Sequence, residues 1–134
     1  EELDEDAILN ELLYIKERIN KSSSILTDKN KTAFFFVLAA EEMVLRDTAK
    51  AADLFAKFDV PLSGYIINRV LPKELKDQNI PEYLKNRFLM QEHYLEVIEK
   101  DFAGQILASV PEMERDVTGL PMIEKMAKAM FGDF

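Results

Sequence analysis

Asn68 carries the most specific chemistry in the sequence. Its side-chain amide offers an acceptor beside paired donors, the complement of the N6/N7 edge of adenine. An asparagine at the end of a strand is also, and more commonly, a turn cap. Arg69 beside it reaches a phosphate or a carboxylate, although an arginine in such a place is more often a surface salt-bridge partner. Two other runs bring polar groups to corresponding places: Ala40-Glu41, and the loop Pro111-Glu112-Met113-Glu114-Arg115-Asp116-Val117. Each of the three follows an apolar run, and in open α/β sheets ligands bind beyond the carboxyl ends of the strands.

Other chemistries find less support. His93 is the one histidine, and it lies among Gln91, Glu92 and Glu96, a solvated helix face rather than a transition-metal site. With no cysteine there is no disulfide framework and no thiolate zinc site. No serine stands in a Gly-x-Ser-x-Gly elbow, which disfavours a nucleophilic triad. The glycines are Gly64, Gly104, Gly119 and Gly132, and none fits the Walker phosphate loop. Acidic residues are abundant, but no pair stands out for two-carboxylate work. A net charge of −8, from 25 acidic and 17 basic residues, argues against a nucleic-acid partner.

The elements that must position these residues alternate. Ile8, Leu12, Ile15 and Ile19 form one stripe of a helix expected over 3–24, which docks by that stripe. Five of the first six residues are acidic and suit the positive end of that helix. Ala33 to Ala39 is apolar at every position, the pattern of a strand buried on both faces. An amphipathic helix follows from Glu42 to Phe58, with Val44, Ala51, Ala52, Phe55 and Phe58 inward, and Asp59-Val60-Pro61 stops it. A second strand over 64–70 completes a strand-helix-strand unit spanning 33–70. Such a crossover makes the strands parallel and brings Glu41 near Asn68. A helix over 81–102 carries Leu84, Phe88, Leu95, Ile98 and Phe102 on one face. A strand over 105–110 and a helix over 120–131, with Ile123, Met126 and Met130 inward, close the chain. The fold class expected is α/β, a partial parallel sheet of about three strands covered by helices.

The chain has 134 residues, 48% hydrophobic and 31% charged, enough for one core. No run approaches the roughly 20 apolar residues of a membrane span, and the acidic start is unlike a signal peptide, so a cytoplasmic setting is expected. A start at Glu1, inside a helical pattern, suggests a segment of a longer chain.

Several stretches carry a resemblance. Thr32 to Met43 resembles the strand and acidic turn of ArsA-type ATPases, the arsenical-pump and tail-anchored-protein targeting family, with Ala40 where members commonly have proline. Gly64-Tyr65-Ile66-Ile67-Asn68-Arg69-Val70-Leu71-Pro72 looks like the family's Asn-Arg-x-Leu-Pro strand end. Arg87 to Leu95 is similar to its helix with a Gln-x-x-Tyr-Leu core, and Val110-Pro111 with Gly119 continues the match. The resemblance implies the C-terminal part of a P-loop NTPase-like ATPase that hydrolyses ATP with magnesium. Adenine would be held by Asn68, Arg69, Pro111, Glu112 and Met113, with Glu41 an acidic residue on the switch side. It implies a homodimer or pseudo-dimer serving a pump partner or a membrane-protein client, the phosphate loop lying upstream. The zinc clasp of some members is excluded by the absence of cysteine. By itself the segment should hydrolyse no ATP. The alternative is a non-catalytic interaction module derived from the same fold.

Overall fold

Three apolar runs pair in parallel, in the order β1 (Phe34–Ala39), β2 (Leu62–Val70), β3 (Ile106–Pro111). The computed structural model describes residues 5–132. Around the sheet stand α1 (Glu5–Thr27), α2 (Glu42–Lys57), α3 (Glu82–Asp101) and α4 (Gly119–Phe131), and a 3-10 turn (Lys73–Asp77) leads from β2 to α3. The α/β class with a three-stranded parallel sheet flanked by helices is the architecture expected of a partial P-loop-like fold.

Register places the core. Phe36 pairs with Tyr65 and Leu38 with Ile67, so these four share one face of the sheet. Phe55 of α2 meets Phe34 and Phe36 edge-on, with ring centroids 5.3 and 4.9 Å apart. Phe102, directly after α3, lies 4.2 Å from Tyr65. Ile98 of α3 is fully buried among Leu38, Ala40, Tyr65 and Ile67. The helices α2 and α3 thus cover the same face, and α4 packs along β3.

The other face is open, which corrects the expectation of a strand buried on both sides. Phe35 and Val37 are 46% and 62% exposed, and Leu107 of β3 is 51% exposed. An unbroken apolar run shows that both sides of a strand suit burial; it does not supply the covering layer. Gly64, paired with Phe35, keeps β2 and β3 close on this side. It sits at φ 154°, and a Cβ there would lie 2.8 Å from the Gln105 carbonyl oxygen and 3.0 Å from Leu107.

Three further expectations change. The helix does not stop at residue 24 but runs to Thr27, because the Ser24 and Thr27 hydroxyls bond back to the carbonyls of Lys21 and Ser23 and leave the helix intact. The start expected at residue 3 and most of the acidic opening run lie outside the described residues. The stripe of α1 is not docked: Ile8, Leu12, Ile15 and Ile19 are 46, 58, 43 and 61% exposed. Phe58 and Ile123, assigned inward, are also more than a third exposed. Phe58 is the C-cap of α2, past the last turn that faces the sheet.

Candidate functional site at the carboxyl edge of the sheet

The parallel register gathers the ends of all three strands on one edge. Ala39 pairs with Asn68, and Val70 with Pro111. The Glu112 N–H donates to the Val70 carbonyl at 2.8 Å, which continues the pairing one residue into the loop. Ala40-Glu41, Asn68-Arg69 and Pro111-Glu112 therefore stand side by side.

At this edge β2 makes a bulge-like turn, its register against β3 shifting between Ile67 and Val70. Arg69 has φ 59°, a left-handed conformation that costs a non-glycine residue about 1–2 kcal/mol. Three sets of contacts impose it. The Arg69 N–H donates to Asn68 Oδ1 at 2.9 Å. Arg69 Nε donates to Glu112 Oε2, also at 2.9 Å. On the helical side Gln91 of α3 donates through Nε2 to the Arg69 carbonyl at 3.0 Å, and its Oε1 accepts the Leu71 N–H at 2.7 Å.

Between this turn and α3 lies a cleft of about 390 Å³, bordered by Glu41, Arg69, Arg87, Gln91, Tyr94 and Glu112 among others. Its rim is an alternation of charge: Arg87 of α3 pairs with Glu41, and Arg69 pairs with Glu112. Hydrogen bonding and charge attraction from Glu112, with a smaller contribution from Glu41, hold the Arg69 guanidinium still more firmly protonated. Arginine rather than lysine suits this place, since a fixed fork of donors meets a carboxylate with defined geometry.

The sequence-derived candidates divide between two positions. Glu41, Arg69 and Glu112 border the cleft. Asn68, Pro111 and Met113 are half-buried at the same sheet edge but do not line it. Asn68 spends one Oδ1 lone pair on the Arg69 N–H, and among the described residues its Nδ2 donates to no group. A second lone pair and a paired donor remain, which is the set that an adenine edge requires. His93 is exposed, with its ring 5.2 Å from that of Tyr94.

Two residues of the edge were not singled out for chemistry by sequence reasoning, Arg87 and Gln91. A signal for Gln91 existed. The apolar face of α3 runs Leu84, Phe88, then Leu95, Ile98 and Phe102, and Gln91 occupies the helical position between Phe88 and Leu95. A polar residue inside an apolar stripe must find partners, and the backbone of β2 supplies them.

An open parallel sheet flanked by helices, with polar groups gathered beyond its carboxyl ends, is an α/β architecture consistent with a P-loop-like fold, and in open sheets of this class that edge is where ligands bind. The chain belongs to the anion-transporting ATPase family, whose sequence pattern matches residues 1–132. It is 32% identical over 117 residues to a protein of Aquifex aeolicus provisionally named arsenical pump-driving ATPase 1, covering 87% of this chain and 30% of that protein. Against a second Aquifex aeolicus protein, provisionally named arsenical pump-driving ATPase 2, identity is 30% over 113 residues, covering 84% of this chain and 36% of the relative. ATPase GET3A of Arabidopsis thaliana is 27% identical over 125 residues, covering 92% of this chain and 35% of that protein. The chain thus spans about a third of the length of these relatives.

Proposed function

We propose that residues 1–134 supply the base side of the nucleotide site in an ATPase that couples ATP binding and hydrolysis to the transport or escort of a cargo. The observation that carries this reading is the position of Asn68 and the Pro111 loop on the ends of adjacent strands, joined by the Val70–Glu112 hydrogen bond. The Asn68 amide reads the N6/N7 edge of adenine, and Pro111 and Met113 offer half-buried surface next to it. Arg69 and Glu112 hold each other and so fix the spacing of the two strand ends. Glu41, tied to Arg87, stands at the end of β1 on the switch side of the site.

Gripping of the phosphates and of magnesium is assigned in this reading to sequence outside residues 1–134, because none of the four glycines here fits a Walker loop. Bound ATP with magnesium would supply the phosphoryl-transfer chemistry, and the residues described here contribute orientation and base selectivity. The names of the relatives support ATP hydrolysis in the complete protein. A pump partner or a tail-anchored client, and a dimeric assembly, belong to the same proposal.

The test is nucleotide binding by the full-length protein. Asn68→Ala should weaken ATP binding about tenfold, since a bidentate amide–adenine contact is worth about 1–3 kcal/mol, and should leave GTP binding unchanged. An unaltered ATP affinity would refute the assignment.

The exposed apolar face of α1 favours a second reading, an interaction module that has kept the fold without the nucleotide site. Calorimetric titration of ATP and ADP into the full-length protein separates the two: the module gives no binding heat.

A further inference from the structure

Gln91 interrupts the apolar face of α3 and is half-buried there. Its two contacts go to a single short stretch of backbone, the carbonyl of Arg69 and the N–H of Leu71. These groups flank Val70, directly after the left-handed turn at Arg69. That turn is the one whose N–H meets Asn68 Oδ1. A single carboxamide therefore holds the far side of the bend that orients the Asn68 carboxamide on the near side.

We propose that Gln91 is a positioning residue for base recognition. It pins the backbone at Arg69 and Leu71, fixes the left-handed turn, and thereby aims the Asn68 amide at the adenine ring. This rests on the reading of Asn68 as the adenine contact. Glutamine suits the task because its amide presents a donor and an acceptor in one plane, matched to a carbonyl and an N–H of the same strand. Glutamate at this position supplies only the acceptor, and methionine supplies neither. The Arg69–Glu112 pair and the Glu112–Val70 hydrogen bond hold the turn from β3. Loss of Gln91 therefore loosens the aim of Asn68 and leaves the strands paired.

The experiment is equilibrium binding of ATP and of GTP to the full-length protein, as wild type, Gln91→Met, Gln91→Glu and Asn68→Ala. Gln91→Met should lower ATP affinity about tenfold, to the level of GTP, with GTP affinity unchanged; Gln91→Glu should fall between it and wild type. A merely structural role would weaken both nucleotides alike, and that result overturns the proposal. So does a folded Gln91→Met protein that keeps its preference for ATP while Asn68→Ala loses it; this outcome leaves the adenine reading standing. If wild type shows no preference for ATP and Asn68→Ala changes nothing, the adenine reading itself fails and this inference falls with it. Hydrogen exchange on the wild-type protein gives a readout that needs no variant. ATP should slow exchange of the Leu71 amide more than GTP does, and equal protection by both overturns the role assigned to Gln91.

Discussion

At Arg69 a left-handed turn is held by the side chains of Asn68, Gln91 and Glu112, and removing any one leaves a polar group short of a partner. Asp59 is the simpler case. It also has positive φ, 55°, directly after Phe58, the C-cap of α2. There Val60 N–H donates to the Phe55 carbonyl and Asp59 N–H to that of Ala56, the Schellman pattern of a helix end. Glycine is the preferred residue at such a position. Since the left-handed penalty of about 1–2 kcal/mol for an L-residue exceeds the entropy cost of glycine, about 0.5–1 kcal/mol, Asp59→Gly should raise stability modestly in denaturant unfolding. A charge-dependent prediction concerns Asp28, after α1. The Asn30 N–H at 2.9 Å, and then the Lys31 ammonium at 3.0 Å, hold its carboxyl below the usual carboxylate range. A depressed folded pKa contributes stability that is present above the unfolded value and is lost as pH falls through the folded one. The stability difference between wild type and Asp28→Asn should accordingly shrink below about pH 4, measured by urea unfolding across pH.

Among the elements, β2 is the most constrained, since it pairs on both sides and ends in the candidate site. Gly64 lets β3 approach it, and any side chain there meets the Gln105 carbonyl. Gly64→Ala should destabilise by about 1–3 kcal/mol, read as a lower denaturant midpoint with an unchanged slope. The helices show how far periodicity reaches. The spacing in α2 and α3 correctly identified Phe55 and Ile98 as inward, because a sheet face lies beneath them, and Phe88 of the same α3 stripe is buried too. The same kind of stripe in α1 has no such surface beneath it, and only its C-terminal end approaches Phe58 and Val60. A hydrophobic stripe specifies a preference for burial; the neighbour that satisfies it comes from elsewhere.

Across the described residues, apolar surface is exposed along α1 and on the open face of the sheet at Phe35, Val37 and Leu107, and also at single positions of α2, α3 and α4 such as Leu54, Leu89 and Leu120. Both β1 and β3 are edge strands with unpaired backbone groups. Residues 1–134 produced alone should therefore self-associate, with a light-scattering mass that rises with concentration; a constant monomer mass would contradict this. No helix among the described residues is long and apolar enough to cross a membrane, so this surface is not that of a membrane-spanning helix.

By itself the sequence determined the α/β class, the strand-helix-strand unit and the family, because apolar runs, periodic stripes and the Asn-Arg-x-Leu-Pro strand end are local patterns along the chain. It also placed Glu41, Asn68 and the Pro111 loop at strand ends, and parallel pairing then made them neighbours. The tertiary structure alone decided which sheet face is covered, that α1 stands undocked, and that Gln91 and Arg87 belong to the carboxyl edge. Those facts depend on contacts between residues about twenty or more positions apart, such as Gln91 with Leu71 and Arg87 with Glu41. Burial and hydrogen bonding at such separations are fixed by packing, which no local spacing encodes.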